Sequence, residues 1–328
     1  MAANKGLQLV ELDSDGVDEN FRRDVLAGLA QSQKAIPARW FYDERGSQLF
    51  EQITQLPEYY PTRTETAILA DNGADFAQHI GPGRAVVEFG SGSSVKTPLL
   101  LSAIAPAAYV QLDISGDFLR ASAAELSAKF PGLPVHPVEA DFTRRVTLPD
   151  AVSAMPKLGF FPGSTIGNMV ARSAVDLLRS MRETLGDEAL LLIGMDLIKD
   201  EQILRDAYDD AAGVTAQFNR NLITRINREL SGTIPEDAFV HRARWNDLYA
   251  RIEMHLEATR DISFTVADTP FAMREGETIH TENSDKFDAR SGPPLLLAGR
   301  WTPVKRWSEA ENRFAVVLAE APIPRGAP

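Results

Sequence analysis

The stretch ETIHTENSDKF, residues 277–287, sets a carboxylate and a hydroxyl two residues apart, at Glu282 and Ser284. Read as an extended strand, its side chains alternate between two faces. His280, Glu282 and Ser284 then share one face, while Ile279, Thr281, Asn283 and Asp285 share the other. Neither face is apolar enough for a half-buried strand, so this polar rib is expected at a sheet edge. A second group with chemical potential is VEFGSGSS (87–94), an apolar run that breaks into a glycine turn and continues into a helical pattern. The backbone at Gly90 and Gly92 can approach an anionic or nucleotide ligand closely, although a bare βα turn would look the same.

The acids after the next two apolar runs decide between those readings. Asp113 ends AYVQLDIS (108–115) and can accept from both hydroxyls of a ribose. Asp141 ends PVHPVEADF (134–142), where an adenine amino group would lie. The dinucleotide fingerprint needs a third glycine at position 95, and the chain has Val95 there, which weakens a nicotinamide or flavin reading. A glycine turn with acids after strands two and three is the usual arrangement for S-adenosylmethionine, which has no phosphates to cradle. Lys96 offers a cation to a ligand carboxylate, although a lone Lys on a first helical turn is more often solvated.

Three further segments carry polar side chains suited to an amino acid. In PEYYPTRTE (57–65) the proline is expected to hold the chain extended and point Tyr59 and Tyr60 opposite ways. Tyr beside Pro more often packs than acts. FFPGSTIGN (160–168) ends on Asn168, which offers a donor and an acceptor to an amine, or caps the helix that follows. AYDDAAG (207–213) adds Tyr208, whose plain alternative is a helix surface.

The elements that must position these groups follow from periodicity. From about 84 to 197, apolar runs alternate with helical patterns, which implies an α/β fold with an open parallel sheet. RWTPVKRWSEAENRFAVVLAEAP (300–322) reads as a hairpin returning to that sheet as an antiparallel edge. Residues 64–197 and 288–328 are therefore expected to form one domain, and 1–63 with 198–287 a second, discontinuous one. In the second, a helical run (207–230) leads into the strand-like RARWNDLYARIEMHLEA (242–258), and PIPRGAP (322–328) reads as a loose tail.

Composition narrows the function classes. The 328 residues carry a net charge of -12 without a run of Lys or Arg, which argues against nucleic acid or anionic membrane as partner. No apolar segment is long enough to span a bilayer, and MAANKGLQLV lacks a signal-peptide core. There is no cysteine, and the five histidines form no HxH or HxxxH group, so no metal site is expected. The expectation is a cytoplasmic, monomeric enzyme whose partner is a small molecule.

The motifs WFYDERGSQLFEQIT, LPEYYPTRTE, EFGSGSSVKT, FPGSTIGN, DLIKD, AYDDAAGVTAQFNRN, RIEMHL and TENSDKF cover nearly the whole chain in order. In them the sequence resembles the histidine-specific Nα-methyltransferases of ergothioneine biosynthesis. The resemblance implies a Rossmann-like class I S-adenosylmethionine-dependent methyltransferase sheet plus a discontinuous α+β substrate domain that closes over the amino acid. It implies three methyl transfers to the α-nitrogen of L-histidine, giving hercynine. Carried over by motif, Tyr59, Asn168 and Tyr208 would hold the α-carboxylate and α-amine, and Tyr42 would sit near the reacting nitrogen. Gly163 and Thr165 would line the cleft, Glu282 and Ser284 would bind the imidazole, and Met254 would pack on the ring. Gly90, Lys96, Asp113, Asp141 and Phe142 would bind the cofactor. Relatives often carry a branched apolar residue where this chain has Asn283, which the strand spacing points away from Glu282 and Ser284. Alternatives are a methyltransferase for another amino acid or a thiolated histidine, and a non-catalytic binding module. A nicotinamide oxidoreductase is disfavoured by Val95 and by the lack of a candidate hydride-handling His.

Overall fold

The protein is described by a computed structural model covering residues 18–91, 96–114 and 116–322. The expectations for Gly92 and Val95 in the glycine turn, and for the tail from 323 on, lie outside the described residues. In chain order the strands are β1 (Lys34–Ala35), β2 (Ala85–Phe89), β3 (Ala108–Asp113), β4 (Val135–Glu139), β5 (Lys157–Phe161), β6 (Leu190–Asp196), β7 (Phe239–Asn246), β8 (Arg251–Ala258), β9 (Ile262–Val266), β10 (Thr269–Met273), β11 (Thr278–Asp285), β12 (Thr302–Ser308) and β13 (Phe314–Glu320). Over the described residues the chain divides into two compact units, one built from 61–198 and 286–322, the other from 18–60 and 199–285.

The first unit holds a seven-stranded sheet in the order β12-β13-β6-β5-β2-β3-β4. Strands β2 to β6 run parallel, and β13 lies antiparallel to β6 with β12 antiparallel to β13, so the C-terminal hairpin forms the mixed edge. Both faces are covered, which is why the strands read as continuous apolar runs. Val87, Val110, Leu191 and Ile193 feed one core, and Val86, Tyr109, Leu158 and Leu192 the other. At the opposite edge, β4 tolerates Pro137 because an edge strand can spare one ladder donor. Where the chain enters this unit for the second time, Lys286 Nζ meets Asp196 Oδ2 at 2.8 Å, with both side chains essentially buried. Leu197 and Phe287 then form a parallel bridge. The DKF and DLI segments are thus joined in one structural seam.

The second unit holds a four-stranded sheet in the order β1-β11-β8-β7 and a separate β9–β10 hairpin to which the sequence reading assigned no element. The 242–258 run is two strands rather than one, because a turn between Asn246 and Arg251 folds β8 back on β7. Strand β11 is interior, parallel to β1 and antiparallel to β8, and not an edge. Helix Val214–Glu229 buries Phe218, Leu222, Ile223 and Ile226 in the same core as Phe239, Met254 and Leu256. That spacing is the i, i+4 stripe of a helix packed on a sheet.

Another expectation fails at Pro61. The chain there is not extended, since helix Tyr60–Asp71 begins one residue earlier and Pro61 occupies its first turn. Pro lacks an amide proton, and the first-turn amides of a helix have no intrahelical acceptor to lose. Both tyrosines are consequently buried, Tyr59 at 8% and Tyr60 at 1% exposure. Lys199 donates to the Tyr60 hydroxyl at 2.7 Å. Among the described residues no helix is long and apolar enough to cross a membrane.

Candidate functional site

In the seven-stranded unit the expected cofactor residues collect at the C-terminal ends of β2, β3 and β4. Gly90 follows β2 with φ +73°, and a Cβ built on it would meet the Phe142 ring at 3.3 Å. A side chain there would be both strained and crowded, so glycine is required. The amides of Gly90 and Ser91 both donate to the Leu112 carbonyl, at 2.8 and 3.2 Å, tying the turn to β3. Asp113 ends β3 half-buried. Asp141 follows β4, where its Oδ1 accepts from the amide and hydroxyl of Thr143 at 3.0 and 2.6 Å. Phe142 is held edge-on between Phe89 and Phe161, with ring centroids 6.1 and 6.4 Å away.

Lys96 is not a solvated surface lysine. Its Nζ lies 2.6 Å from Glu65 Oε2, and the Glu65 side chain is only 1% exposed. The same carboxylate oxygen accepts from the Gly163 amide at 2.8 Å, so one buried acid ties the glycine-turn lysine to the loop after β5. Gly194 in β6 makes room for it, since a Cβ there would fall 2.2 Å from Glu65 Oε1. Nothing local in the PTRTE motif shows the burial of Glu65. Within the β5 loop, Gly163 and Thr165 are exposed and Asn168 is half-buried at the end of a 3-10 turn, Thr165–Asn168. Asn168 does not cap the next helix, whose N-cap is Val170. The Asp196 amide donates to Ser164 Oγ at 2.9 Å and anchors this loop on β6.

In the four-stranded unit the remaining residues gather around one face of β11. The pairing of β11 with β8 shifts between His280 and Glu282: His280 faces His255, Glu282 faces Met254, and Thr281 is the extra residue. Such a bulge moves every later side chain to the opposite face. His280 therefore does not share a face with Glu282 and Ser284, contrary to the strict alternation expected. It stacks on His255, with centroids 4.7 Å apart and rings inclined by 17°. Glu282 and Ser284 instead turn to the covered face beside Met254 and Ile252, at 9% and 3% exposure. Asn283 pairs with Glu253 on the outer face, away from them, as the spacing implies.

Tyr208 completes this inner group. It is buried, and its hydroxyl lies 2.6 Å from Ser284 Oγ. A run of aromatic rings extends from it, with Tyr208 and Tyr59 at 6.2 Å, Tyr59 and Phe50 at 6.3 Å, and Phe50 and Tyr42 at 5.6 Å. Tyr42 follows a 3-10 turn, Ala38–Phe41. It directly precedes Asp43, which caps helix Glu44–Ile53 through the Gly46 amide at 2.7 Å. Arg228 and Asn221 also donate to Asp43, and these bonds outweigh burial and hold its carboxyl below the usual range. The Tyr42 residue is 43% exposed, and its phenol lies in the neighbourhood of Glu282, Tyr59 and Tyr208. Burial first, then Glu282, Tyr59 and Tyr208, push its phenol well above its ordinary pKa, so it stays protonated at neutral pH.

The outer face of the same sheet is polar. Glu253, His255 and His280 place ligand-type atoms within 4.8 Å of one another, a grouping that spacing along the chain does not show. Each already has protein partners. Glu253 accepts from Arg251 and Asn246 at 2.8 and 2.9 Å, and its pKa falls to about 2 because these bonds, with one from His255, outweigh its burial. His280 Nε2 donates to the Glu282 carbonyl at 3.0 Å. Burial brings His255 down to about 4, so its ring is neutral at pH 7.

Comparison with known proteins identifies the family. The family model described as histidine-specific methyltransferase, S-adenosylmethionine-dependent, matches residues 21–321. The chain is 40% identical over 314 residues to a histidine N-alpha-methyltransferase of Mycolicibacterium smegmatis, covering 94% of this chain and 97% of that protein. It is 38% identical over 304 residues to the protein of the same name from Mycobacterium tuberculosis, covering 91% and 94%. Against ergothioneine biosynthesis protein 1 of Neurospora crassa the identity is 31% over 328 residues, covering 95% of this chain and 36% of that longer protein. The chain belongs to the family of histidine-specific methyltransferases that depend on S-adenosylmethionine.

Proposed function

We propose that this chain transfers three methyl groups in succession from S-adenosylmethionine to the α-amine of L-histidine, yielding hercynine, the first step of ergothioneine biosynthesis. The observation that carries the reading is the pair Glu282 and Ser284. They lie two residues apart on the covered face of β11, with the Tyr208 hydroxyl on Ser284. One acceptor and one hydroxyl at that spacing suit the two nitrogens of a single imidazole. An amino acid without ring nitrogens would leave both groups unpaired in a buried place, and that penalty is what discriminates. Met254, opposite Glu282 in the register, supplies the apolar surface for the ring.

The seven-stranded unit fits the cofactor. Asp113 at the end of β3 suits the ribose hydroxyls, and Asp141 and Phe142 after β4 suit the adenine. The Gly90 turn allows close backbone approach, and Lys96, oriented by Glu65, offers a cation to the amino-acid end. When bound, S-adenosylmethionine supplies a methyl on a sulfonium that is displaced in line. The protein's part is alignment and selection of the neutral amine, since α-amines are largely protonated near neutral pH. A protonated Tyr42 cannot serve as a phenolate base; its oxygen accepts a hydrogen bond from the amine while the amine's proton leaves through water. Asn168 offers the second donor–acceptor pair, and Tyr59 and Tyr208 are assigned to the α-carboxylate and α-amine. Gly163 and Thr165 are assigned to the substrate by the same family resemblance.

Incubation with histidine and S-adenosylmethionine should give mono-, di- and trimethylated histidine by mass spectrometry, and other aromatic amino acids should give little. Absence of any methylated histidine would sink the proposal.

A further inference from the structure

The bulge that turns Glu282 and Ser284 inward is locked from behind by three buried side chains. Thr281 is 1% exposed, and its hydroxyl is shared between Asn219 Oδ1 at 2.8 Å and the Met254 carbonyl at 3.0 Å. Asn219, in helix Val214–Glu229, is fully buried. Its amide nitrogen donates to His241 Nδ1 at 2.8 Å and to the His255 carbonyl at 3.1 Å. His241 Nε2 then donates to the Tyr208 carbonyl at 2.7 Å. Donor directions are consistent along this whole path. Both acceptors of the Thr281 hydroxyl are carbonyl oxygens, so it donates and Asn219 Oδ1 accepts. The Asn219 nitrogen is therefore aimed at His241 Nδ1, which requires the neutral Nε2–H tautomer, and that N–H is the one facing Tyr208. The Tyr208 hydroxyl meets Ser284, on the strand that carries Thr281. Polar contacts thus close a ring through Thr281, Asn219, His241, Tyr208 and Ser284.

Without the extra residue in the pairing, strict alternation would carry Glu282 and Ser284 to the outer face with His280. A bulge leaves its extra residue outside the ladder, so side-chain partners can hold it in place. We propose that Asn219, His241 and Thr281 are specificity-positioning residues: together they hold the β11 bulge and the Tyr208 backbone, and so aim Glu282 and Ser284 at the substrate ring. This rests on the assignment of Glu282 and Ser284 to the imidazole. None of the three positioning residues touches the substrate in this account. They act by fixing the buried partners of those that do, in a network whose members are each satisfied only while the others stay in place.

The test separates positioning from mere stability. Thr281→Val keeps the shape and removes the hydroxyl, and Asn219→Leu removes every polar contact of the central residue. Both should raise the KM for histidine on the order of 10-fold, with kcat and S-adenosylmethionine affinity nearly unchanged, and reduce discrimination against phenylalanine. Thr281→Ser, which restores the hydroxyl, should recover wild-type KM. An unchanged histidine KM in folded Thr281→Val and Asn219→Leu would overturn the inference. Should either variant fail to fold, 15N spectra of the wild-type histidines decide the network by themselves. His241 should be the Nε2–H tautomer with a slowly exchanging proton; the Nδ1–H tautomer would overturn the ring of contacts. Glu282→Ala serves as the reference. Insensitivity of histidine binding to that change would remove the imidazole assignment itself, and this inference with it, whereas sensitivity there with none at Thr281 would overturn the positioning role alone.

Discussion

The two sheets handle polarity in opposite ways. The seven-stranded sheet is mainly apolar on both faces, with Glu88 buried in β2 and bonded by Thr97 and Tyr109, and the acids proposed for the cofactor, Asp113 and Asp141, lie at or beyond strand ends. Groups at a strand end can keep contact with water, so they need little support from the protein. The four-stranded sheet places Glu282 and Ser284 within a central strand on its covered face. There every polar atom needs a protein partner, which explains the chain of bonds through Asn219, His241 and Thr281. A rim site can be built from a turn and two strand ends, whereas a site in the middle of a sheet needs a buried scaffold of its own.

That contrast can be broken experimentally. The largest effect is expected at Lys286, the interior cation of the first unit. Lys286→Met strips Asp196 of its buried counter-ion and should destabilise the protein by about 3–5 kcal/mol in denaturant unfolding. A change below about 1 kcal/mol would show that this unit tolerates uncompensated interior charge after all. Next, Glu282→Ala should weaken histidine binding on the order of 10–100-fold by calorimetry while leaving S-adenosylmethionine affinity intact. Loss of cofactor affinity instead would erase the division of labour between the sheets. Tyr42→Phe removes a hydroxyl but keeps the ring contacts with Phe50 and Phe218, so folding should be preserved. Turnover should fall about 10-fold, or products should shift toward mono- and dimethyl forms, read by mass spectrometry. An unaltered rate and product pattern would remove Tyr42 from the chemistry.

The smallest effect is a pH signature that differs between the units. Burial raises Glu88 to about 7, against bonds from Tyr109 and Thr97 that pull it down. Its folded pKa lies above its unfolded value, so its favourable contribution is complete below about 4.5 and is lost as pH rises toward about 7. Glu253 behaves oppositely: at about 2 it contributes above its unfolded pKa of 4.5, and the contribution is lost as pH falls toward 2. Glu88→Gln should therefore flatten the stability profile between pH 4.5 and 7, and Glu253→Gln the acid side. Identical profiles for both variants would contradict these opposed environments.

Much of this was legible along the chain. Apolar runs separated by helical patterns give the parallel sheet, and the glycine turn with Asp113 and Asp141 marks the strand ends proposed for the cofactor, because both signals are local in sequence. The TENSDKF and tyrosine motifs named the polar residues of the second unit, through resemblance more than through spacing. What could not be read there was orientation. Strict alternation put His280 with Glu282 and the polar faces suggested an edge, yet one extra residue reverses the face and pairing with β1 and β8 on its two sides makes β11 interior. Nor did local signals expose Glu65 or Asn219. Glu65 lies in the second turn of its helix, and Asn219 is a polar position beside an apolar stripe, so their burial depends on elements distant in sequence.

The amino-acid sequence by itself determined which residues are present and the periodicity of the elements that carry them, since propensity and alternation act over a few neighbours. Only the tertiary structure decided that a bulge at Thr281 turns Glu282 and Ser284 toward Tyr208 and Met254, and that Lys96 is tied to Glu65. The physical reason is common to both: satisfying a buried polar atom is a long-range requirement, and its partner is chosen by the packing of elements the chain brings together only once folded.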